Sequence, residues 1–274
     1  MKIKYLMNQN VTCIDKDQNI CDALRIMKKN NISRLVVINT NNEHVKEVVG
    51  IITEKDIAKK LGSSRYGNLA PSHFHVSTVM SPNIITADVN MDVSTAAHIM
   101  LENHIGSLPV IEDDKLVGIL TKTDILEICK GKPYEKSLVE DVMSSELITI
   151  EPTERMIHAR RLMIDANIGR LPVMEDGELV GIITSKDIAR SMIAFRKVVP
   201  DKYKSARIRN LLVEDLMTQN VKTVKTTDNI SKTASKMIET GYGGFPVLDE
   251  KGTLVGIITK SDILDLIVEM EGVN

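Results

Sequence analysis

Aromatic side chains are scarce in this sequence of 274 residues. It contains no Trp, three Phe and five Tyr, so aromatic residues make up 3% of the chain. Proteins that bind single-stranded nucleic acids stack the bases on aromatic side chains, and protein interfaces are enriched in aromatic residues. The composition therefore argues against a base-stacking surface and against an aromatic-rich protein interface.

Positive charge is not in excess either. The chain has 35 Lys and Arg against 37 Asp and Glu, a formal net charge of -2, so no basic surplus supports sequence-independent binding of nucleic acids. No run approaches the roughly 18 apolar residues that a membrane helix needs. The first four residues lead into polar residues rather than the apolar run of a signal peptide. We therefore expect a cytoplasmic protein without membrane insertion, and nucleic acid is not expected as a partner.

Catalytic and metal-binding motifs are absent from the sequence. The three cysteines, Cys13, Cys21 and Cys129, form no CxxC or other ligand spacing, and an odd, patternless count is typical of a reducing compartment. His73 and His75 have an HxH spacing without an accompanying set of carboxylates or thiols. No Walker loop is present, and no nucleophile–base pair can be assigned from spacing. We expect neither an enzyme nor a metal protein.

Internal repetition dominates what is present. The motif Gly-apolar-apolar-Thr-x-x-Asp occurs four times, beginning at Gly50, Gly118, Gly181 and Gly256. A methionine precedes each copy, and a threonine follows that methionine after five or six residues. The methionines are Met7, Met80, Met143 and Met217, and the threonines are Thr12, Thr86, Thr149 and Thr223. Such self-similarity indicates a repeat architecture, with repeats predicted at 5–61, 78–128, 141–192 and 215–267.

Each repeat has the pattern of a β-α-β-β-α unit. A short extended segment leads to a capping residue and a helix with apolar residues at spacings of three and four. The predicted caps are Asn19, Asp92, Thr153 and Asp228. Two apolar strands joined by a polar turn then form a hairpin, and the motif threonine opens a final helix. Units of this size cannot bury a sufficient core alone, so we expect an α+β fold in which the repeats pair sheet against sheet.

The motif Thr-x-x-Asp at a helix start has two physical interpretations. As a capping box, the Thr hydroxyl accepts a backbone N–H and the Asp carboxylate reaches back to the cap N–H. The positive end of a helix dipole also attracts phosphate, and a carboxylate one turn in can accept two hydrogen bonds from a ribose diol. The pairs are Thr53 with Asp56, Thr121 with Asp124, Thr184 with Asp187, and Thr259 with Asp262. The two uses are compatible.

These residues together resemble a known family. The methionine starts, the strand Ile168-Gly169-Arg170-Leu171-Pro172-Val173 and the motif that ends each repeat are similar to CBS domains, which pair into Bateman modules that bind adenosyl ligands. Four copies in one chain resemble the gamma subunit of AMP-activated protein kinase and stand-alone archaeal four-CBS proteins. The resemblance implies two Bateman modules, repeat 1 with 2 and repeat 3 with 4, stacked as a compact disc with phosphates pointing inward.

The resemblance also implies roles for individual side chains. The motif Asp holds the ribose hydroxyls, the Thr before it meets ribose or phosphate, and the threonine of the first strand lines the same cleft. At the second strand the family often carries a basic residue that faces phosphates. Arg34 and Arg170 match it, and a guanidinium can hold a phosphate bidentately. Repeats 2 and 4 lack this charge, so their own phosphate retention is in doubt, although neighbouring repeats could supply it.

The predicted function is adenine-nucleotide sensing without catalysis. The expected ligands are AMP, ADP or ATP, with Mg²⁺ only alongside ATP, and no catalytic cofactor. A regulated enzyme or transporter and a second copy of the chain are the candidate protein partners. S-Adenosylmethionine or methylthioadenosine is the alternative ligand class, although neither needs Arg34 and Arg170. A nucleotide-cleaving enzyme and a nucleic-acid-binding regulator are the alternatives from other classes.

Overall fold

A computed structural model describes residues 1–40, 46–61, 71–129, 136–198 and 210–271 of the chain. The described residues divide into two compact units. Unit 1 comprises residues 1–11, 85–147 and 222–274, and unit 2 comprises residues 12–84 and 148–221. Unit 1 therefore contains most of repeats 2 and 4 and the first residues of repeats 1 and 3, whereas unit 2 contains most of repeats 1 and 3 and the first residues of repeats 2 and 4. None of the described helices is long and apolar enough to cross a membrane.

Repeat 1 has the predicted β-α-β-β-α order. Its elements are β1 (Cys13–Asp15), α1 (Ile20–Lys29), β2 (Arg34–Thr40), β3 (Lys46–Thr53) and α2 (Glu54–Leu61). The strands form one sheet, in which β1 is parallel to β2 and β3 is antiparallel to it.

Repeat 2, in unit 1, has the same order. It consists of β4 (Ala87–Asp88), α3 (Val93–Glu102), β5 (Ser107–Glu112), β6 (Lys115–Thr121) and α4 (Lys122–Leu126). A 3-10 turn at Glu127–Cys129 follows α4. A short helix, α5 (Val139–Val142), precedes repeat 3.

Repeat 3 departs from the pattern at its first strand, which is reduced to a single parallel bridge between Ile150 and Val173. The chain continues as α6 (Met156–Asp165), β7 (Arg170–Glu175), β8 (Glu178–Thr184) and α7 (Ser185–Val198). Pro152 accounts for the short strand, because proline has no N–H to donate to the ladder.

Repeat 4 restores the full order with β9 (Val224–Lys225), α8 (Ile230–Thr240), β10 (Gly244–Leu248), β11 (Leu254–Thr259) and α9 (Lys260–Glu271). The residue that matches Pro152 is Thr226, whose N–H donates to the carbonyl oxygen of Leu248 at 3.1 Å. The α+β fold of four CBS-like repeats is therefore confirmed.

Two of the four predicted helix caps are wrong in position. Asn19 caps α1 and accepts from the N–H groups of Cys21 and Asp22, as expected. In repeat 4 the capping residue is Asn229, not Asp228, and in repeat 3 the helix begins after Arg155, not Thr153. Asp92 does precede α3, but its carboxylate binds the Lys2 ammonium at 2.9 Å instead of capping. Clustered polar residues before a helix made these starts ambiguous.

Each unit has one buried core shared by its two repeats. The core of unit 2 includes Ile57 of α2 and Ile188 of α7, and these two helices pack together. The core of unit 1 includes Met100 of α3 and Ile263 of α9, whose helices also pack together. The helices thus join repeat 1 with repeat 3, and repeat 2 with repeat 4, a pairing that the sequence did not predict.

The opening segment of each repeat packs on a different repeat. Asn8, in the opening segment of repeat 1, forms an antiparallel bridge with Ile119 of repeat 2, and Ser81, in the opening segment of repeat 2, forms one with Ile51 of repeat 1. Repeats 3 and 4 make the same exchange through Ser144 with Ile257 and Thr218 with Ile182. Each opening segment therefore packs in the unit that does not contain the rest of its own repeat.

The motif glycine accommodates the exchanged methionine. A Cβ added at Gly50 would lie 2.6 Å from the Met80 sulfur, and one at Gly118 would lie 2.6 Å from the Met7 sulfur. Gly181 and Gly256 face Met217 and Met143 in the same way. Because real Cβ atoms do not approach other atoms so closely, this position of the motif is fitted by glycine, which has no Cβ. The motif glycine and the upstream methionine, both repeated four times in the sequence, are therefore in direct contact.

Candidate functional site

The motif threonine and aspartate form the same pair of hydrogen bonds in all four repeats. In repeat 1 the Thr53 N–H and hydroxyl donate to Oδ2 of Asp56 at 2.9 and 2.6 Å. In repeat 3 the Thr184 N–H and hydroxyl donate to Oδ2 of Asp187 at 2.9 and 2.5 Å. Thr121 with Asp124, and Thr259 with Asp262, make these bonds at 2.6–2.8 Å. The capping-box interpretation is therefore satisfied by geometry.

This geometry leaves the carboxylate able to bind a second group. A carboxylate has about four lone-pair sites, and both threonine bonds go to Oδ2, so Oδ1 retains accepting capacity for a ribose diol. The threonine hydroxyl cannot donate a further hydrogen bond, because its single proton is already donated to the aspartate. In this arrangement the hydroxyl can meet a ligand only as an acceptor, so phosphate binding needs another donor.

Arg34 and Arg170 lie where such a donor is needed. Strand register places Arg34 directly opposite Thr53, and Arg170 directly opposite Thr184. Residues directly opposite in an antiparallel pair project from the same face, with Cβ atoms about 4.5–5.5 Å apart. Both arginines are half-buried. The register thus brings each predicted arginine beside the threonine of its own repeat.

Repeats 2 and 4 carry no charge at this position. Ser107 lies opposite Thr121, and Gly244 lies opposite Thr259. Both residues are buried, and neither side chain brings a positive charge for phosphate there.

In repeats 2, 3 and 4, the first-strand threonine directly precedes the residue that pairs with a valine of the second strand. Ala87 pairs with Val110, and Val224 with Val247, so Thr86 and Thr223 occupy equivalent positions; Thr149 precedes the Ile150 bridge in the same way. In repeat 1 the equivalent pair is Ile14 with Val37. Cys13, not Thr12, therefore occupies the threonine position. Thr12 lies five positions after Met7, whereas the other three threonines lie six positions after their methionines. Thr12 is therefore one position before the equivalent of those threonines.

The exchanged segments bring one further residue to the site. The Ser144 hydroxyl donates to Oδ1 of Asp262 at 3.3 Å, the carboxylate oxygen that takes no part in the capping bonds. The residue after each upstream methionine is serine or threonine in three of the four copies, a signal present in the sequence. Only the segment exchange shows which motif this residue meets.

Burial changes the acidity of the site in repeat 1. Removal of water raises the pKa of the Asp56 carboxyl above its usual value, and the hydrogen bonds from Thr53 oppose that rise. Desolvation also raises the pKa of the neighbouring Glu54, against the attraction of Arg190, which bonds Glu54 at 2.8 and 2.9 Å. The start of α2 therefore has a buried, paired carboxylate beside the candidate ribose acceptor.

Comparison with known proteins finds the same family of repeats along most of the chain. The CBS domain model matches residues 3–63, 76–131, 139–194 and 213–269. Protein MJ1225 of Methanocaldococcus jannaschii is 31% identical over 96% of this chain and 97% of its own length.

Two solved structures are similar over the same extent. The crystal structure of MJ1225, which has been proposed to be an archaeal homologue of g-AMPK, superposes with a TM-score of 0.87 at 29% identity, covering 97% of this chain and all of that one. A conserved protein from Pyrococcus horikoshii shares the fold, with a TM-score of 0.64 at 23% identity, covering 97% of this chain and all of that one. The chain belongs to the CBS domain family.

Proposed function

We propose that this protein is a regulatory sensor that binds adenine nucleotides and has no catalytic activity of its own. The observation that carries the proposal is that, in repeats 1 and 3, an arginine lies on the same sheet face as the threonine that is hydrogen-bonded to the motif aspartate. The capping pair Thr184–Asp187 offers Oδ1 to the diol, and Arg170 offers a bidentate donor to phosphate. AMP, ADP and ATP combine these two features, and Mg²⁺ would accompany ATP alone.

The alternative ligand class is S-adenosylmethionine or methylthioadenosine. Both ligands have the ribose diol that the aspartates would hold, but neither has a phosphate for Arg34 or Arg170. Binding of these sulfur compounds would leave the arginines without a role at the site. The charge at this position therefore favours a phosphate-bearing ligand.

The decisive experiment compares AMP with adenosine. We expect the parent to bind AMP more tightly, and Arg170→Gln to lower the ratio of the two affinities about tenfold, since a hydrogen bond to a charged group contributes about 1.5–3 kcal/mol. Arg161→Gln is the matched control, because Arg161 lies on α6 of the same repeat with a side chain that is 79% exposed. Calorimetric titration measures both ratios.

An unchanged ratio in Arg170→Gln would overturn the phosphate role of that arginine. Binding of S-adenosylmethionine or methylthioadenosine without any binding of AMP, ADP or ATP at millimolar concentration would overturn the proposed function and establish the alternative. A shift in melting temperature provides an independent readout, because a ligand at 100 times its Kd stabilises the fold by about 2.7 kcal/mol.

A further inference from the structure

Two positions of the repeat carry charges that are reversed between the two units. The first position directly follows the motif threonine, and the second lies five residues further along the chain. In repeats 1 to 4, in that order, the first position is Glu54, Lys122, Ser185 and Lys260. The second position is Lys59, Glu127, Arg190 and Asp265. Repeats 2 and 4 thus have a cation and then an anion, repeat 1 has the opposite order, and repeat 3 has only a cation at the second position.

In unit 2 these two positions meet between repeats. Arg190 of α7 donates from Nε to Oε1 of Glu54 of α2 at 2.9 Å, and its Nη2 lies 2.8 Å from the same oxygen. The Glu54 side chain is 4% exposed, and that of Arg190 is 33% exposed. A carboxylate buried so deeply is tolerated only when it is paired. The packing of α2 against α7 therefore depends on the charge of both residues.

The helix starts of unit 1 have the same arrangement. Each lysine of the first position donates to a hydroxyl that lies one helical turn before the second position of the other repeat. These two bonds are 2.7 Å long and run from Nζ of Lys122 to Ser261 and from Nζ of Lys260 to Thr123. Asp265 follows Ser261 by four residues in α9, and Glu127 follows Thr123 by four residues with helical dihedral angles at the end of α4. Residues four apart share a helix face, so each lysine extends toward the face that carries the anion of the opposite repeat.

Only the observed associations avoid like charges at these positions. Repeat 1 with repeat 3 brings Glu54 to Arg190 and places the neutral Ser185 at the same small cavity as Lys59. Repeat 2 with repeat 4 combines two lysines with two carboxylates. Repeat 1 with 2 or 4, through the same helices, would bring Glu54 to a carboxylate and Lys59 to a lysine, and repeat 3 with 2 or 4 would bring Arg190 to a lysine. Like charges brought together across an interface are strongly unfavourable.

We propose that the charges at these two positions select which repeats of the chain share a core, 1 with 3 and 2 with 4. The four repeats have similar apolar faces, so hydrophobic burial would stabilise other associations as well. Charges discriminate between such partners because they make the wrong association unfavourable as well as the right one favourable. The inference goes beyond the proposed function and does not depend on nucleotide binding.

Reversal of the charge at Glu54 tests the attraction. In the full-length chain without nucleotide, Glu54→Lys places an ammonium group against the Arg190 guanidinium. The equilibrium constant for unfolding, measured by urea denaturation, should rise at least about a hundredfold. Adding Arg190→Glu restores opposite charges and should recover most of this loss; no recovery would overturn the inference. Arg161→Asp with Asp165→Arg reverses an exposed ion pair on α6 of the same unit and should leave the unfolding transition unchanged.

Selection is tested in a variant that makes the buried pair neutral. Glu54→Gln with Arg190→Gln keeps hydrogen-bonding groups at both positions and removes the repulsion of repeat 3 from repeats 2 and 4. After slow refolding from urea at low protein concentration, an amine-reactive cross-linker and mass spectrometry compare two classes of link from Lys186 of α7. One class joins Lys186 to the lysines of α2, and the other joins it to Lys122 or Lys260. Relative to the parent, the share of the second class should increase at least about tenfold. An unchanged cross-link pattern would overturn the selection and leave Glu54 and Arg190 as a stabilising pair only.

Discussion

Replacement of Asp187 by alanine separates the two uses of the capping motif. The Asp187 carboxylate accepts the N–H and hydroxyl of Thr184 through Oδ2, and in the proposed function Oδ1 accepts the ribose diol. Loss of the cap should lower the free energy of unfolding by about 1 kcal/mol. Loss of a charged acceptor for ribose should cost about 1.5–3 kcal/mol for each hydrogen bond. One such bond corresponds to at least about a tenfold loss of affinity.

The assay is calorimetric titration with adenosine and 2′-deoxyadenosine, since neither ligand has a phosphate and they differ by one hydroxyl of the diol. The parent should prefer adenosine, and Asp187→Ala should reduce that preference at one of its sites. The unfolding free energy of each variant comes from urea denaturation.

Asp215→Ala provides the matched control. Asp215 lies in the same unit and accepts the Leu212 N–H at 2.9 Å, the same backbone bond three residues upstream that Asp187 makes. It belongs to no Thr-x-x-Asp motif, so its loss should destabilise the fold slightly and leave affinity unchanged. If Asp187→Ala and Asp215→Ala show the same adenosine affinity and the same number of sites, Asp187 is a cap and nothing more.

Two further predictions concern packing and pH. Gly118→Ala places a Cβ 2.6 Å from the Met7 sulfur and 3.3 Å from the Asn8 carbonyl oxygen, so it should destabilise the fold by about 1–3 kcal/mol. In urea denaturation, Gly118→Ala combined with Met7→Ala should lose less unfolding free energy than the sum of the two single losses. Strict additivity of the two losses would refute the contact. Gly169→Ala, whose Cβ would meet only Ser185 Oγ at 4.0 Å, is its control. In the proposed function, nucleotide binding at repeat 1 needs ionised Asp56. Because burial raises the pKa of that carboxyl, affinity should be complete above the raised pKa and fall as pH decreases through it. Asp56→Asn should remove this pH dependence in titrations across the acidic range, and a parent affinity that is constant with pH would contradict it.

The sequence by itself determined the repeat, its order of elements and the capping geometry. These features are local: apolar spacing, turn residues and a threonine three residues before an aspartate act within about 50–60 residues. The four motif pairs formed as expected for this reason, and the hairpin register that places Arg34 beside Thr53 follows from the alternation of side chains along the strands.

Only the tertiary structure decided which repeats meet. All four repeats present similar apolar faces, so hydrophobic pattern cannot rank one partner above another, and the shared cores of repeats 1 with 3 and 2 with 4 had no signal in that pattern. The tertiary structure also decided that Cys13, and not Thr12, is equivalent to the other first-strand threonines. The pairing of Ile14 with Val37 fixes the register of this strand, which the spacing from Met7 alone did not determine. The hydrogen bonds from Lys122 to Ser261 and from Lys260 to Thr123 depend on the same association, because residues nearly 140 positions apart come within hydrogen-bond distance only once two helix starts are packed together.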